Sequence, residues 1–461
     1  MGSPFRLVLI ASALLAGFPP KAFASIEQAP PNFPYRDGDA VFVDFQRAKF
    51  SIVYNFAAKS VTVESEILFD APARGYPIFD LLPEPREVRL DDREASVALI
   101  TDPDSASHFR VLETRVSPGS HRLTLTHTIE ENVIFRANGV ASAFWMSDLT
   151  DRHYLEQYLP ANLLYDQYPI SMRVEVRNAV GLPHTLRANG AVKVLSENVF
   201  EVEFPSFYAA DSVFFHLSPK DSIPSASFTY PSLDGRALPV EVYSSANLAA
   251  YVAETKRVLA DLEGDFGPFP HAKVIVYGSR AGGMEYAGAT ISSPTAIGHE
   301  LFHSYNARGV MPADGNSGWM DEAMSCWHDR HYAVRALPGM AGGMAGHSPW
   351  MRITDSDAYA KGTDFVAWIA GRMDAEGKDF KAFLRGYLRT NLYQTVTTEL
   401  FREAIERYSG FDLRADFDEY IYGRLPPLKP MASCGNPEIA KPRVENPYHP
   451  RLSKEELRNL L

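Results

Sequence analysis

The chain has 461 residues, more than one hydrophobic core usually supports, so two or three domains are expected. Its composition, 46% hydrophobic and 22% charged, is that of a folded globular protein, and its many aromatic residues suit β-rich cores. The formal net charge of −12 argues against nucleic-acid binding, because neutralising phosphates requires a basic face.

The first segment, residues 1–24, has the pattern of a secretory signal peptide. A single early cation, Arg6, precedes an apolar run over residues 7–17, and small residues near position 24 complete a cleavage pattern. The run is too short to span a membrane, and no later stretch is long enough to do so. We therefore expect an exported protein, periplasmic or secreted, without a membrane span.

Apolar and polar residues then alternate through much of the first half of the chain, which predicts strands. The clearest run is residues 60–69, where Val61, Val63 and Ile67 would share one face. Further strand-like runs lie at residues 40–45, 121–129, 170–176, 199–204 and 212–217. Short strands separated by Pro, Gly and Asn turns predict an antiparallel, β-sandwich-like N-terminal domain over residues 25–235.

The periodicity of the later half is helical. Residues 244–264 carry apolar side chains on one face and stop at Gly264, which predicts a helix. A strand at residues 272–278 and further helices follow, so the protein is expected to be multidomain α+β, with a second domain over residues 236–425. Residues 426–461, which begin with closely spaced prolines, are expected to be an irregular tail with a short final helix.

Residues 298–306, GHELFHSYN, carry two histidines four apart, with a glutamate directly after the first. We expect a helix with Ser293 as its cap and Gly309 at its end. On such a helix His299 and His303 project from one face, a spacing that lets two imidazoles reach one zinc ion. Taken alone, the pattern fits equally well a helix with two ordinary, partly buried histidines.

A third candidate ligand favours the interpretation as a zinc site over that of two ordinary histidines. Glu322 lies in the helical stretch GWMDEAMSCWH, with eighteen residues between it and His303. Two histidines and one glutamate leave a fourth position for water, which is the ligand set of catalytic zinc sites. Glu300, beside His299, could then take a proton from that zinc-activated water as it attacks a carbonyl. One zinc ion per chain is therefore expected.

Together these residues resemble the gluzincin peptidases, in which the His-Glu-x-x-His motif is followed eighteen residues later by Glu. GGMEY, residues 282–286, is similar to the Gly-x-Met-Glu-Asn motif of the aminopeptidase N family, and YAKG, residues 359–362, to its Tyr-Glu-Lys-Gly segment. HSYN, residues 303–306, resembles the bacterial glycyl aminopeptidases, which often carry Trp-Asn after the second histidine. The resemblance covers residues 240–425 well and the first half loosely, and it implies a thermolysin-like catalytic domain.

The resemblance also implies roles for residues around the metal. Glu285 would bind the free α-amine of a substrate, and Gly282 and Gly283 would let the backbone approach the peptide closely. Tyr359 would donate its phenolic proton to the oxyanion of the tetrahedral intermediate. Glu156, in the β-rich half, would contribute a second amine-binding group. Each assignment has a structural alternative. Glu285 could be an ordinary edge-strand glutamate, the two glycines could form a plain turn, and Tyr359 could be a tyrosine of the core.

Cys326 lies four residues after Glu322, where thermolysin-like enzymes place a carboxylate that supports a zinc histidine. We expect it to fill space instead, because a free cysteine usually behaves as a small hydrophobic residue. Asp321 and Asn306 are candidates for outer groups that orient the ligands. In an oxidising compartment Cys326 could pair with Cys434 or remain free.

The sequence also departs from the aminopeptidase N pattern. Thirteen residues lie between Glu285 and His299, where those relatives usually have two dozen or more, and Tyr286 replaces the motif's asparagine. Without a large helical domain or PDZ module, the cleft is expected to be more open.

We predict an exported zinc peptidase that acts on peptides or proteins, and an aminopeptidase is the preferred interpretation. The alternatives are a zinc endopeptidase with an open cleft and a non-catalytic binding protein; the sequence leaves side-chain preference and oligomeric state undefined.

Overall fold

The computed structural model describes residues 29–101, 108–146, 155–162, 166–279, 283–351 and 353–424. The expected signal peptide, Gly282, Cys434 and the tail over residues 426–461 lie outside these ranges. Within them, every helix falls short, in length or in apolar content, of what a membrane crossing requires.

In the N-terminal half, residues 29–219, the described residues form strands and two short 3-10 turns, Leu155–Gln157 and Ala210–Ser212. Its strands are β1 (Phe33–Tyr35), β2 (Gly38–Val41), β3 (Asp44–Asn55), β4 (Ser60–Ala71), β5 (Tyr76–Phe79), β6 (Arg86–Leu90), β7 (Arg93–Glu94), β8 (Val97–Thr101), β9 (His108–Leu112), β10 (Gly119–Thr128), β11 (Val133–Arg136), β12 (Gly139–Ala143), β13 (Ile170–Arg177), β14 (His184–Ala188), β15 (Ala191–Ser196), β16 (Val199–Glu203) and β17 (Phe215–Pro219). The alternation predicted for residues 60–69 is confirmed in β4, where Val61, Val63 and Ile67 are buried and their neighbours are more exposed.

These strands form sheets in the orders β15-β16-β13-β3-β4-β10-β6-β7, β1-β2-β5-β9-β8 and β11-β12-β17-β14. Most neighbouring strands are antiparallel, but β13 runs parallel to β3, and β2 runs parallel to β5. The expected purely antiparallel pairing is therefore corrected: two of these three sheets are mixed, and the sheet β11-β12-β17-β14 is antiparallel. Hairpins force antiparallel pairing, whereas β3 and β13 are joined by a long connection that allows them to run in the same direction.

The later half, residues 225–424, contains both helices and strands. Its strands are β18 (Ser225–Pro231), β19 (Ala237–Ser244), β20 (Val274–Gly278), β21 (Gly283–Tyr286), β22 (Ala289–Ser292), β23 (Met311–Pro312) and β24 (Thr395–Val396). Its helices are α1 (Leu248–Phe266), α2 (Ile297–Phe302), α3 (Trp319–Asp329), α4 (Lys361–Ala375), α5 (Phe380–Thr390), α6 (Thr398–Ser409) and α7 (Arg414–Tyr420), with a 3-10 turn at Ser356–Tyr359.

One mixed sheet organises the start of this half, in the order β18-β19-β20-β22-β21. β18 and β19 form an antiparallel hairpin, and the expected domain boundary after residue 235 lies in its turn. The structure therefore places β18, which we expected in the β-rich domain, in the sheet of the later half, because β18 pairs with β19 over its whole length.

The helix expected over residues 244–264 is α1, which continues to Phe266. Nothing crowds Gly264, and it stays helical, whereas Gly267 adopts a φ of 93° and ends the helix. At the other end the side chain of Asn247 accepts a hydrogen bond from the amide of Ala250, which caps the helix.

The two halves share buried surface around β21. Met284 and Tyr286 pack into the hydrophobic core of the N-terminal half, and the Tyr286 hydroxyl donates to the carbonyl of Phe144 (3.0 Å). Ile297 and Leu301 of α2 pack instead into the core of the later half. The segment from β21 to α2 thus joins both cores, which fixes the side chains it carries relative to each other.

Candidate active site

α2 carries the first two predicted metal ligands. His299 lies within the helix, and His303 is the residue that closes its C-terminal end. The helix we expected over residues 293–309 is therefore shorter, because the chain leaves the helical conformation after His303 and Ala307 adopts a positive φ of 80°. The two imidazole rings still lie side by side, with their centroids 4.8 Å apart.

Glu322, on the first turn of α3, faces these rings. Its Oε2 lies 3.4 Å from Nε2 of His299 and 4.0 Å from Nε2 of His303. All three side chains are buried, and one donor atom from each lies within 4.8 Å of the other two. The structure therefore brings together the three residues that the sequence predicts as metal ligands.

The opposite nitrogen of each histidine is held by a carboxylate on α3. His299 Nδ1 donates to Asp329 Oδ2 (2.7 Å), and His303 Nδ1 donates to Asp321 Oδ1. When Nδ1 carries the proton, Nε2 keeps the lone pair that binds metals, and the ring is fixed in orientation. Asp321 therefore contacts a predicted ligand, as the outer role suggested for it by the sequence requires.

These carboxylates also raise the proton affinity of the rings. Burial opposes a charge on His303, but Asp321, Glu285 and Glu322 together outweigh it and raise the pKa of His303 to about 10. Burial likewise opposes a charge on His299, whose pKa Asp329 and Glu322 nonetheless hold well above its usual range. Because carboxylates surround the two imidazole rings, the site favours a bound cation, which can be a proton or a metal ion.

This donor set fits zinc. Two imidazole nitrogens and one carboxylate oxygen are the protein ligands of many catalytic zinc sites. Nε2 of His303 is buried without a hydrogen-bond partner among the described residues, which is costly unless a cation completes it. His299, His303 and Glu322 would hold the ion, and it would supply a Lewis acid that polarises a carbonyl and lowers the pKa of water.

Glu300 lies next to these ligands and is fully buried. Burial raises the pKa of Glu300 well above its usual range; Glu285 and Glu322 add to this effect, and the nearby histidines oppose it. A carboxylate with raised proton affinity is suited to accept a proton during a reaction. Gly283 lies directly against it, since a Cβ at that position would be 1.9 Å from Glu300 Oε1.

Glu285 lies on β21, an edge strand, with almost no exposure. The thirteen residues that follow it form the β21–β22 hairpin and a turn into α2, which returns the chain to the ligands. One carboxylate oxygen of Glu285, one of Glu300 and a ring nitrogen of His303 lie within 4.8 Å of one another. Arg308, in the turn after α2, donates to Glu285 Oε1 (2.6 Å).

The remaining predicted residues lie at different places. Tyr359 ends the 3-10 turn before α4, and its hydroxyl donates to Glu322 Oε1, so the phenol lies beside a predicted zinc ligand. Glu156 is buried in the turn Leu155–Gln157, where its backbone carbonyl accepts a hydrogen bond from the amide of Leu82 (2.9 Å). Gly282 lies outside the described residues.

Sequence reasoning missed Asp329, the partner of His299. The position where a supporting carboxylate was expected, four residues after Glu322, is occupied by Cys326. In the structure the supporting carboxylate is Asp329, one helical turn further along α3. Cys326 is buried, as expected for a space-filling residue, and burial raises the pKa of its thiol to about 12. A search of the whole α3 face for acids at helical spacing would have found Asp329.

The fold of this chain is that of the M1 zinc metallopeptidases. An M1 zinc metallopeptidase from Deinococcus radiodurans matches with a TM-score of 0.61 and 17% identity, over 86% of this chain and 97% of that chain. A variant of an M1 zinc metallopeptidase from the same organism, bound to a Tyr-Ser-Ala substrate, matches at 0.58 and 18%, over 85% and 96%. Yeast LTA4 hydrolase in complex with bestatin matches at 0.60 and 13%, over 84% and 69%. The sequence matches no protein-family model and no curated protein.

Proposed function

We propose that this protein is a zinc-dependent peptidase, and specifically an aminopeptidase that removes N-terminal residues from peptides. One observation carries the proposal: two carboxylates with no zinc-ligand role, Glu285 and Glu300, meet the ligand cluster at His303. A structural zinc site needs ligands only, whereas a peptidase needs a base, and an aminopeptidase also needs an anion for the substrate's amine. The fold shared with M1 zinc metallopeptidases supports the same conclusion.

Each side chain has a distinct task in this proposal. Glu300 accepts the proton of the attacking water and later delivers it to the leaving amine, for which its burial and raised pKa suit it. Tyr359 turns its hydroxyl from Glu322 to the substrate's carbonyl oxygen and stabilises the developing oxyanion. Glu285 forms a charge-assisted hydrogen bond with the α-ammonium group, so that the scissile bond lies one residue from the N-terminus.

The test uses tripeptides X-Ser-Ala, a set that includes Tyr-Ser-Ala, together with the N-acetylated form of each. We expect about one zinc ion per chain by metal analysis and hydrolysis of the free-amine peptides far faster than of the acetylated ones. Glu300→Gln keeps the side-chain volume and removes the base, so zinc content should persist while kcat falls about 10²–10⁴-fold.

The outcomes separate the alternatives. A protein that binds no zinc and cleaves no peptide is a binding protein with this fold, and the proposal fails. Equal rates on free and acetylated peptides would make it an endopeptidase.

We also propose export, on the pattern of residues 1–24. N-terminal sequencing of the mature protein is then expected to begin at Ser25, and a retained Met1 would contradict this.

A further inference from the structure

A buried arginine contacts the carboxylate proposed to bind the substrate's amine. Arg308 is 5% exposed, and its two terminal nitrogens point to different carboxylates. Nη2 donates to Glu285 Oε1 (2.6 Å), and Nη1 donates to Asp211 Oδ2 (2.8 Å). The planar guanidinium fork can hold two carboxylates in a fixed relation to each other, which a lysine cannot do.

The three charged groups come from separate parts of the chain. Asp211 lies in the 3-10 turn Ala210–Ser212 of the N-terminal half, Glu285 on β21, and Arg308 after α2. Asp211 is 6% exposed and Glu285 1%, so neither charge is screened well by water. Because Arg308 occupies Oε1 of Glu285, the second oxygen, Oε2, is left buried without a hydrogen-bond partner among the described residues.

The charges in this triad do not cancel. Counted formally, one guanidinium between two carboxylates leaves these three side chains with a net charge of about −1. A single protonated amine would neutralise it, and Glu285 Oε2 is the oxygen placed to accept its hydrogen bond. If Asp211 were absent, Arg308 would instead neutralise Glu285 itself, and the site would lose its attraction for an ammonium group.

We propose that Asp211 and Arg308 are positioning residues that make Glu285 selective for a protonated α-amine: Arg308 fixes the carboxylate, and Asp211 supplies the charge that offsets Arg308. This inference rests on the aminopeptidase function proposed above. It assigns a part of the amine specificity to the N-terminal half, through Asp211.

Two variants test charge and geometry separately. Asp211→Asn removes the offsetting charge and keeps the shape of the side chain. Arg308→Lys keeps the charge but removes the fork. For both, KM of the free-amine X-Ser-Ala tripeptides is expected to rise about tenfold or more, while kcat changes far less and the rates on N-acetylated peptides stay the same.

The matched control is Glu241→Gln. Glu241 accepts from Arg187 Nε at 2.7 Å, an arginine–glutamate pair between β19 and β14, and its loss should leave the ratio of free-amine to acetylated rates unchanged. Thermal melting of all three variants reports any general loss of stability. If Asp211→Asn does not fold, Arg308→Lys carries the test, because it preserves the charge of the buried group.

The results distinguish this inference from the function on which it rests. A wild-type protein that treats free and acetylated peptides alike overturns the aminopeptidase function and this inference with it. A wild-type protein that prefers free amines, with variants whose KM values stay at the wild-type level, overturns this inference alone.

Discussion

Gly283→Ala adds one methyl group beside the proposed base. An ideal Cβ on Gly283 would lie 1.9 Å from Oε1 of Glu300, 2.4 Å from its Cδ and 2.9 Å from its Cγ. Non-bonded carbon atoms prefer separations of about 3.5–4.0 Å, so the Glu300 carboxylate must retreat by more than about 1 Å. The backbone of Gly283 is not in the left-handed region, so alanine adds no backbone strain there.

The magnitude follows from the displacement. A shift of about 1 Å in a reacting group can cost about 10²-fold in rate, which corresponds to about 2.7 kcal/mol in activation free energy. None of the three predicted zinc ligands contacts the added methyl among the nearest atoms of Gly283. We therefore expect kcat to fall about 100-fold with zinc content unchanged.

The assay is steady-state hydrolysis of the X-Ser-Ala set, combined with metal analysis and thermal melting. Gly386→Ala is the matched control, because it adds the same methyl on α5, where nothing lies within 4 Å of the new Cβ. It should leave kcat at the wild-type value. A Gly283→Ala protein that keeps its zinc and also keeps kcat within about threefold would refute the role given to Glu300.

Further substitutions test other parts of the site and the core. His303→Ala should reduce zinc well below one ion per chain in metal analysis, since it removes a ligand. Asp329→Asn should weaken zinc affinity about 10–100-fold in chelator competition, and added zinc should restore activity if the role is to orient the histidine. Tyr359→Phe should lower kcat about 10²–10³-fold with little change in KM if its hydroxyl stabilises the oxyanion. Leu384→Ala, fully buried in α5, should cost about 2–5 kcal/mol in urea unfolding, whereas Leu337→Ala, 75% exposed, should cost less than about 0.5 kcal/mol.

Sequence patterns predicted correctly those strands and helices in which one face is buried and the apolar residues recur at one regular spacing. The alternation in β4 and the amphipathic face of α1 were both readable, because each element packs one face against one core. Residues 40–45 also alternate, but the structure divides them between β2 and β3 in different sheets. Phe42 packs into one core cluster and Val43 into another, a division that no period reveals.

The candidate site likewise has residues that the sequence predicts and features that it does not. His299, Glu300 and His303 are readable because they share one helical turn, and Glu322 because its spacing is typical of a known ligand set. The true length of α2 was not readable. Just after the helix, the Ser304 carbonyl lies 2.9 Å from Nε2 of His271, a residue 33 positions earlier, while the amide of Arg308 donates to the carbonyl of His303.

The contact between Arg308 and Asp211 spans 97 residues. Two charged residues at such a separation carry no signal in one sequence, since pairing at this distance depends on the tertiary fold alone. The same holds for Tyr286, which departs from the motif's asparagine and uses its hydroxyl to bond the carbonyl of Phe144. Departures from a motif can therefore mark contacts between distant segments.

The burial of β21 against the N-terminal half has a consequence for any fragment of this protein. An edge strand with apolar side chains is a template for aggregation when it is uncovered. Met284 and Tyr286 would be uncovered in a polypeptide that begins at β18, and Asn189, whose side chain donates to the Ala287 carbonyl (2.8 Å), would be missing. The N-terminal half therefore covers apolar surface of the later half, and a polypeptide that begins at β18 is expected to aggregate more readily than the whole chain.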